Sequence, residues 1–187
     1  MDVLGTVVRL QVQRSRLKPG EKGARTYDPA PLLEVGALDV GPRGVVGVSE
    51  SGPVLDVHHA DHPDSRNRGL VNGLSLLPRT HYARLRETYG SHLVDGAAGE
   101  SLLLDTAGPW TLTDLEGPLH LETAGGELLE LTGAAVAVPC VEFSRFCLAG
   151  PGDVATVLED LDGGTRGFYV RCSGTGRVEA GARLLRG

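Results

Sequence analysis

Apolar and polar positions alternate along this chain in short runs, and turn residues punctuate almost every one of them. Val3, Val7, Val8, Leu10 and Val12 mark a first strand. Further runs at 32–38, 44–48 and 54–57 are separated by Gly41-Pro42 and Ser51-Gly52-Pro53, a spacing that predicts a meander or barrel. The stretch 128–138 is Leu, Val and Ala broken by Glu130, Thr132 and Gly133, and it reads as a buried strand. Two closing strands are expected at 167–172 and, after Gly174-Thr175-Gly176, at 177–185.

Two segments switch to helical spacing. Tyr82, Leu85 and Tyr89 share a face over 78–89, where Pro78 suits a first turn and Gly90 a left-handed C-terminal cap. Val154, Val157, Leu158 and Leu161 repeat the same period over 153–161, with Asp153 as the N-cap. The pattern lapses at about 14–31, a basic loop or arm with Lys18-Pro19-Gly20 as its turn. The expectation is a mainly β, closed or nearly closed barrel with a few short helices, one domain over 1–187.

Composition narrows the function classes. Apolar residues make up 41% and charged residues 22%, ordinary for a globular domain, and 27 Gly with 11 Pro agree with frequent turns. The net charge of -6 disfavours nucleic acid as a partner while leaving room for a local basic site. No apolar run approaches the ~18 residues of a membrane span, and Met1-Asp2-Val3-Leu4-Gly5 lacks the order of a secretory signal. A cytoplasmic setting without membrane contact is therefore expected, with Cys140, Cys147 and Cys172 reduced.

Cys140 is the leading candidate for chemistry. Pro139 ends the strand ladder by removing a backbone N–H, which sets the next side chain at a strand mouth. Cys140 reads either as a small core hydrophobe or as a reactive thiol, since Arg145 is near in sequence and a nearby cation favours the thiolate. A redox pair with Cys147 stays open, and Cys172 reads as core. His58, His59 and His62 with Asp56, Asp61 and Asp64 form either a solvated loop or a divalent-metal cluster. Arg66 and Arg68 carry guanidinium forks suited to phosphate or carboxylate. Glu100 and Ser101 open an apolar run after Gly99, as turn residues or as part of a pocket lining.

Several segments in order carry a family resemblance. Gly73-Leu74-Ser75-Leu76-Leu77 leads to Tyr82-Ala83-Arg84-Leu85-Arg86, followed by Gly99-Glu100-Ser101-Leu102, Leu115-Glu116-Gly117-Pro118-Leu119 and Pro139-Cys140. Gly167-Phe168-Tyr169-Val170-Arg171 and Gly176-Arg177-Val178-Glu179-Ala180-Gly181-Ala182 close the order. It resembles the MOSC domain, the C-terminal module of molybdenum cofactor sulfurases, which also occurs as stand-alone bacterial proteins.

The resemblance implies a β-barrel with Cys140 as the functional thiol. That thiol would bind molybdenum cofactor as a metal ligand or carry sulfur as a persulfide for metal-sulfur centres; as an enzyme, the chain would transfer sulfur or reduce N-hydroxylated compounds. Arg66, Arg68, Glu100, Ser101 and Arg145 are the expected cofactor-binding residues. A pterin or other small molecule is the expected ligand, and a cysteine desulfurase or redox protein the expected partner. Pyridoxal phosphate is not expected on this chain. Ser101 replaces the family Asn and Ala182 the family Asp, so the alternative is a non-catalytic barrel that has lost the cofactor chemistry.

Overall fold

The computed structural model describes residues 1–67 and 69–187, which leaves Arg68 outside the described residues. Twelve strands run in chain order: β1 Asp2–Gln13, β2 Leu32–Glu34, β3 Ala37–Gly41, β4 Gly44–Ser49, β5 Gly52–Leu55, β6 Leu74–Pro78, β7 Leu102–Asp105, β8 Leu119–Glu122, β9 Leu128–Val136, β10 Phe168–Cys172, β11 Gly176–Glu179 and β12 Arg183–Arg186. The helices are α1 Arg79–Tyr89, α2 Val141–Leu148 and α3 Val154–Leu161. Seven strands close a barrel in the order β1, β12, β8, β9, β10, β6, β7 and back to β1, and β2 extends the far end of β1. A second sheet, β11-β3-β4-β5, packs on the barrel, so Val35, Leu38, Val40 and Val45 share one core with Leu76, Leu104 and Phe168.

The run Leu102-Leu103-Leu104 shows how a continuous apolar stretch is used. Leu102 and Leu104 face the barrel interior, whereas Leu103 joins Tyr82, Leu85, Phe143, Val157 and Leu161 beneath the helices. Such a strand is buried on both faces and has no polar alternate. It pairs in parallel with β6 across α1, Leu76 opposite Leu102 and Leu77 opposite Leu103.

Both sequence-predicted helices form, with differences at their ends. Asp153 caps α3, its carboxylate accepting from the Ala155 N–H at 3.0 Å. Pro78 ends β6 and stands just before α1, while Gly90 has φ 121° and ψ 164°, outside the left-handed helical region. The expected strand over 128–138 stops at Val136 and is buried only at Leu129 and Leu131. The sequence from Val141 then forms α2, with Phe143 and Cys147 one turn apart on its inner face. The expected strand over 177–185 is two strands, β11 in the small sheet and β12 in the barrel, parted by Gly181 with φ 95°.

Candidate functional site

One end of the barrel gathers the candidate chemistry, because the antiparallel neighbours β9 and β10 meet there. Phe168 lies opposite Val136, and the Ala137 N–H donates to the Gly167 carbonyl at 2.9 Å. The chain leaving β9 and the chain entering β10 therefore share an edge. Pro139-Cys140 comes from the first and Arg166 from the second. Gly167 makes the entry tight, with φ 109°, and a Cβ there would stand 2.8 Å from the Leu76 carbonyl oxygen.

Cys140 is half-buried and directly precedes α2. Its carbonyl accepts from the Ser144 N–H at 3.0 Å and the Ser144 hydroxyl at 3.1 Å, which fixes the backbone at the helix start. Its side chain caps no N–H. The unpaired first-turn N–H groups of a helix give that end a partial positive character.

The thiol opens on a cleft of about 510 Å³. Among the described residues, Arg16, Lys18 and Arg25 of the 14–31 arm, Arg66, and Arg166 contribute five cations to its lining, and Asp64 is the one carboxylate there. Asp64 pairs with Arg16 at 3.3 Å. On a chain of net charge -6, this end of the barrel is locally basic. Tyr27 ties the arm down. Its hydroxyl donates to the Ala97 carbonyl at 2.7 Å, and its ring meets Phe143 edge-on at 4.9 Å between centroids.

Arg166 is the functional candidate that sequence reasoning missed. Its guanidinium stacks over the Phe143 ring at 4.4 Å, and it has no ion-pair partner among the described residues. Gln13, Arg166 and Tyr169 line the cleft and also a second cavity of about 20 Å³, which has Glu100 in its wall. That volume suits a single water. Glu100 is 3% exposed; its Oε2 accepts from the Tyr82 hydroxyl at 2.9 Å, whereas Oε1 is buried without a partner. Burial pushes the carboxyl up to about 7, against the pull of the Tyr82 hydroxyl, Arg166 and Arg9. Gly99, with φ 81°, gives the backbone room beside Gln13 and Leu17, where a Cβ would stand 2.8 Å from Leu17 Cδ1. The signal for Arg166 was its place just before a strand that neighbours β9, a fact of pairing and not of local pattern.

Of the expected cofactor-binding residues, Arg66 alone among those described shares the cleft. Arg145 is about 140° round α2 from Cys140, in a separate groove of about 310 Å³ with Ala24, Thr26 and Phe146. Ser101 is turned inward, its hydroxyl 3.1 Å from that of Ser75. Arg66 lines the cleft, and Arg68 lies outside the described residues. Cys147 is fully buried and its thiol is pushed up to about 12 by burial. Seven residues of helical rise separate its Cα from that of Cys140 by about 10 Å, beyond disulfide reach. Cys172 is core, with its Sγ 3.2 Å from the Gly174 carbonyl oxygen.

The three histidines diverge. Nδ1 of His58 bonds Asp56 at 2.9 Å at the cleft, His59 packs on Gly44, and Nε2 of His62 bonds the Arg14 carbonyl at 3.1 Å. Among the described residues, no three His, Cys, Asp or Glu side chains gather as a metal cluster. No helix among them is long and apolar enough to cross a membrane.

No family model matches the chain, and no curated protein matches it in sequence. Solved structures do match. The YUAD protein from Bacillus subtilis aligns with a TM-score of 0.60 at 12% identity, over 96% of this chain and 93% of that one. YiiM from Geobacillus stearothermophilus aligns at 0.57 and 17% identity, over 96% and 73%. YiiM from Escherichia coli aligns at 0.52 and 17% identity, over 81% of this chain and 63% of that one. These likenesses are of fold: the chain has a mainly β, closed-barrel architecture like that of the YUAD and YiiM structures.

Proposed function

We propose that this is a MOSC-domain protein whose basic cleft holds molybdenum cofactor, with the Cys140 thiolate as a ligand to the metal. The observation that carries the reading is one soft sulfur donor among Arg16, Lys18, Arg25, Arg66 and Arg166 in a cleft of about 510 Å³. That volume suits a small-molecule ligand, and thiolate is a soft donor for a metal-sulfur centre. Guanidinium forks suit the phosphate of a pterin. The residues present fit the group.

The cofactor would supply two-electron redox chemistry, such as the reduction of N-hydroxylated compounds. The chain's own part is to bind and orient. Arg166, over the Phe143 ring, and the arm cations Arg16, Lys18 and Arg25 line the cleft and would hold the phosphate. Ser101 and Ala182, the two departures from the family pattern, do not line the cleft. Ser101 bonds Ser75, and Ala182 is buried in the core. Their positions support a retained pocket over a silent barrel.

The test is to produce the chain with molybdenum cofactor supplied and measure bound metal and pterin in wild type and Cys140→Ala. Wild type is expected to retain both, and Cys140→Ala to lose the metal. Equal retention would remove the ligand role. A second reading, a persulfide carrier served by a cysteine desulfurase, draws on the half-exposed Cys140 two residues after Val138, which is 81% exposed. Persulfide labelling of the same pair of proteins distinguishes it.

A further inference from the structure

Arg166 stands between two acceptors of its charge. It lines the open cleft with Cys140 and also the small adjoining cavity with Glu100, whose Oε1 is buried without a partner. The cation has no ion-pair partner among the described residues, so its field acts in both directions. An ionised Glu100 would offset Arg166 from behind and weaken its hold on an anion in the cleft. A protonated Glu100 leaves the full charge facing the cleft.

We propose that the cleft binds its anionic ligand together with a proton, taken from solvent onto Glu100 across the cavity that Glu100 shares with Arg166. The inference rests on the reading of the cleft as an anion site and adds its regulation. With the cleft empty, Glu100 ionises above about pH 7 and serves as the internal counter-charge of Arg166. When an anion arrives it replaces that counter-charge, and the carboxylate takes up one proton to become the neutral acid. Release of the anion returns the proton.

The groups that face Glu100 are few: the Tyr82 hydroxyl from α1, Arg9 from β1, Tyr27 from the arm and Arg166 from the entry to β10. Glu100 is the group among them poised near neutrality; burial raises both tyrosines well above it. The cleft itself also carries Asp64, paired with Arg16, and His58, bonded to Asp56.

Cys140 is itself the reporter. Iodoacetate and iodoacetamide both alkylate the thiolate, forming an S–C bond with loss of iodide, so the ratio of their rates cancels the thiolate fraction and leaves the attraction for a negative charge. The ratio is measured at Cys140 by peptide mass mapping at low ionic strength, from about pH 6 to about pH 8.5, and normalised to N-acetylcysteine. In wild type it is expected to exceed one and to fall about five-fold as pH rises, the effect of one buried charge on its neighbour's field. Glu100→Gln is expected to hold the high value across the range.

A ratio above one with superimposable profiles for the two proteins overturns the proton coupling and leaves the anion site standing. A ratio at or below one at every pH in both overturns the anion site itself. The wild-type profile needs no variant, and a flat one refutes the coupling. Tyr82→Phe, which removes the hydroxyl that donates to the carboxylate, should move the fall to higher pH; an unmoved fall also counts against Glu100 as the titrating group.

Discussion

Replacing Glu100 with Gln should stabilise the protein at neutral and alkaline pH and do little in acid. The carboxyl is held at about 7 in the fold against an ordinary 4.5, because burial disfavours its charged form. Below 4.5 both folded and unfolded chains carry the proton and the site contributes nothing. As pH rises the unfolded chain ionises first, so folding is penalised progressively until the folded carboxyl also ionises near 7. Held at about 7 against 4.5, the carboxyl costs the fold about 3 kcal/mol once both states are ionised. Most of that penalty develops between about pH 5 and about pH 8.5. Gln has no such term, and any constant gain or loss in its hydrogen bonds cancels from the pH dependence. Urea unfolding followed by Trp110, the one tryptophan and 8% exposed, measures both proteins. With an m-value of about 2 kcal/mol/M, the midpoint gap should widen by about 1.2 M across that range. Parallel midpoint curves would show that Glu100 ionises as freely in the fold as out of it, and the argument from burial would fail.

The remaining predictions use other parts of the site. Burial pushes Cys147 and Cys172 upward, so iodoacetamide near neutral pH should label Cys140 alone in the folded chain and all three in urea; labelling of Cys147 at a comparable rate would contradict its packing. Arg166→Ala should slow alkylation of Cys140 by iodoacetate about ten-fold more than alkylation by iodoacetamide, with Arg166→Lys intermediate because it keeps charge and loses the fork; equal slowing would show that Arg166 acts only by packing on Phe143. His81 is buried and neutral, its Nε2 accepting the Trp110 N–H at 3.0 Å and its Nδ1–H donating to the Thr165 carbonyl at 3.2 Å. Burial lowers its pKa, so the unfolded chain takes the proton first and stability should decline as pH falls through about 6.5, at up to about 1.4 kcal/mol per pH unit. His81→Gln should lose that slope in urea midpoints, and an unchanged slope would assign it elsewhere. Gly167→Ala should cost about 2 kcal/mol or more in the same assay, because it combines a positive φ with a clash on the Leu76 carbonyl; a neutral effect would mean that the entry to β10 yields easily.

What the chain carries locally was legible from its sequence. Alternation marked β1 and β3 to β5, helical spacing marked α1 and α3, and Asp153 marked the start of α3, because these are set by neighbours within a few residues. Pro139 likewise marked Cys140 as the place where a strand gives way. Tertiary structure alone decided which segments meet. The sequence from 177 to 185 carries one continuous β signal, yet the turn at Gly181 sends β11 and β12 into different sheets. Phe143 and Cys147 fit a helix face only once there is a core beneath α2 to receive them.

The site follows the same division. Arg145 is near Cys140 in sequence and turned away on the helix, whereas Arg166 is far in sequence and close through the pairing of β9 with β10. Glu100 reads locally as a turn residue or as part of a pocket lining, because nothing local decides its burial; Tyr82, Arg166 and the barrel wall bury it from three distant parts of the chain. Local pattern sets the conformation of each backbone segment, but charge, burial and proton affinity belong to neighbours in space, and only the closed barrel determines those.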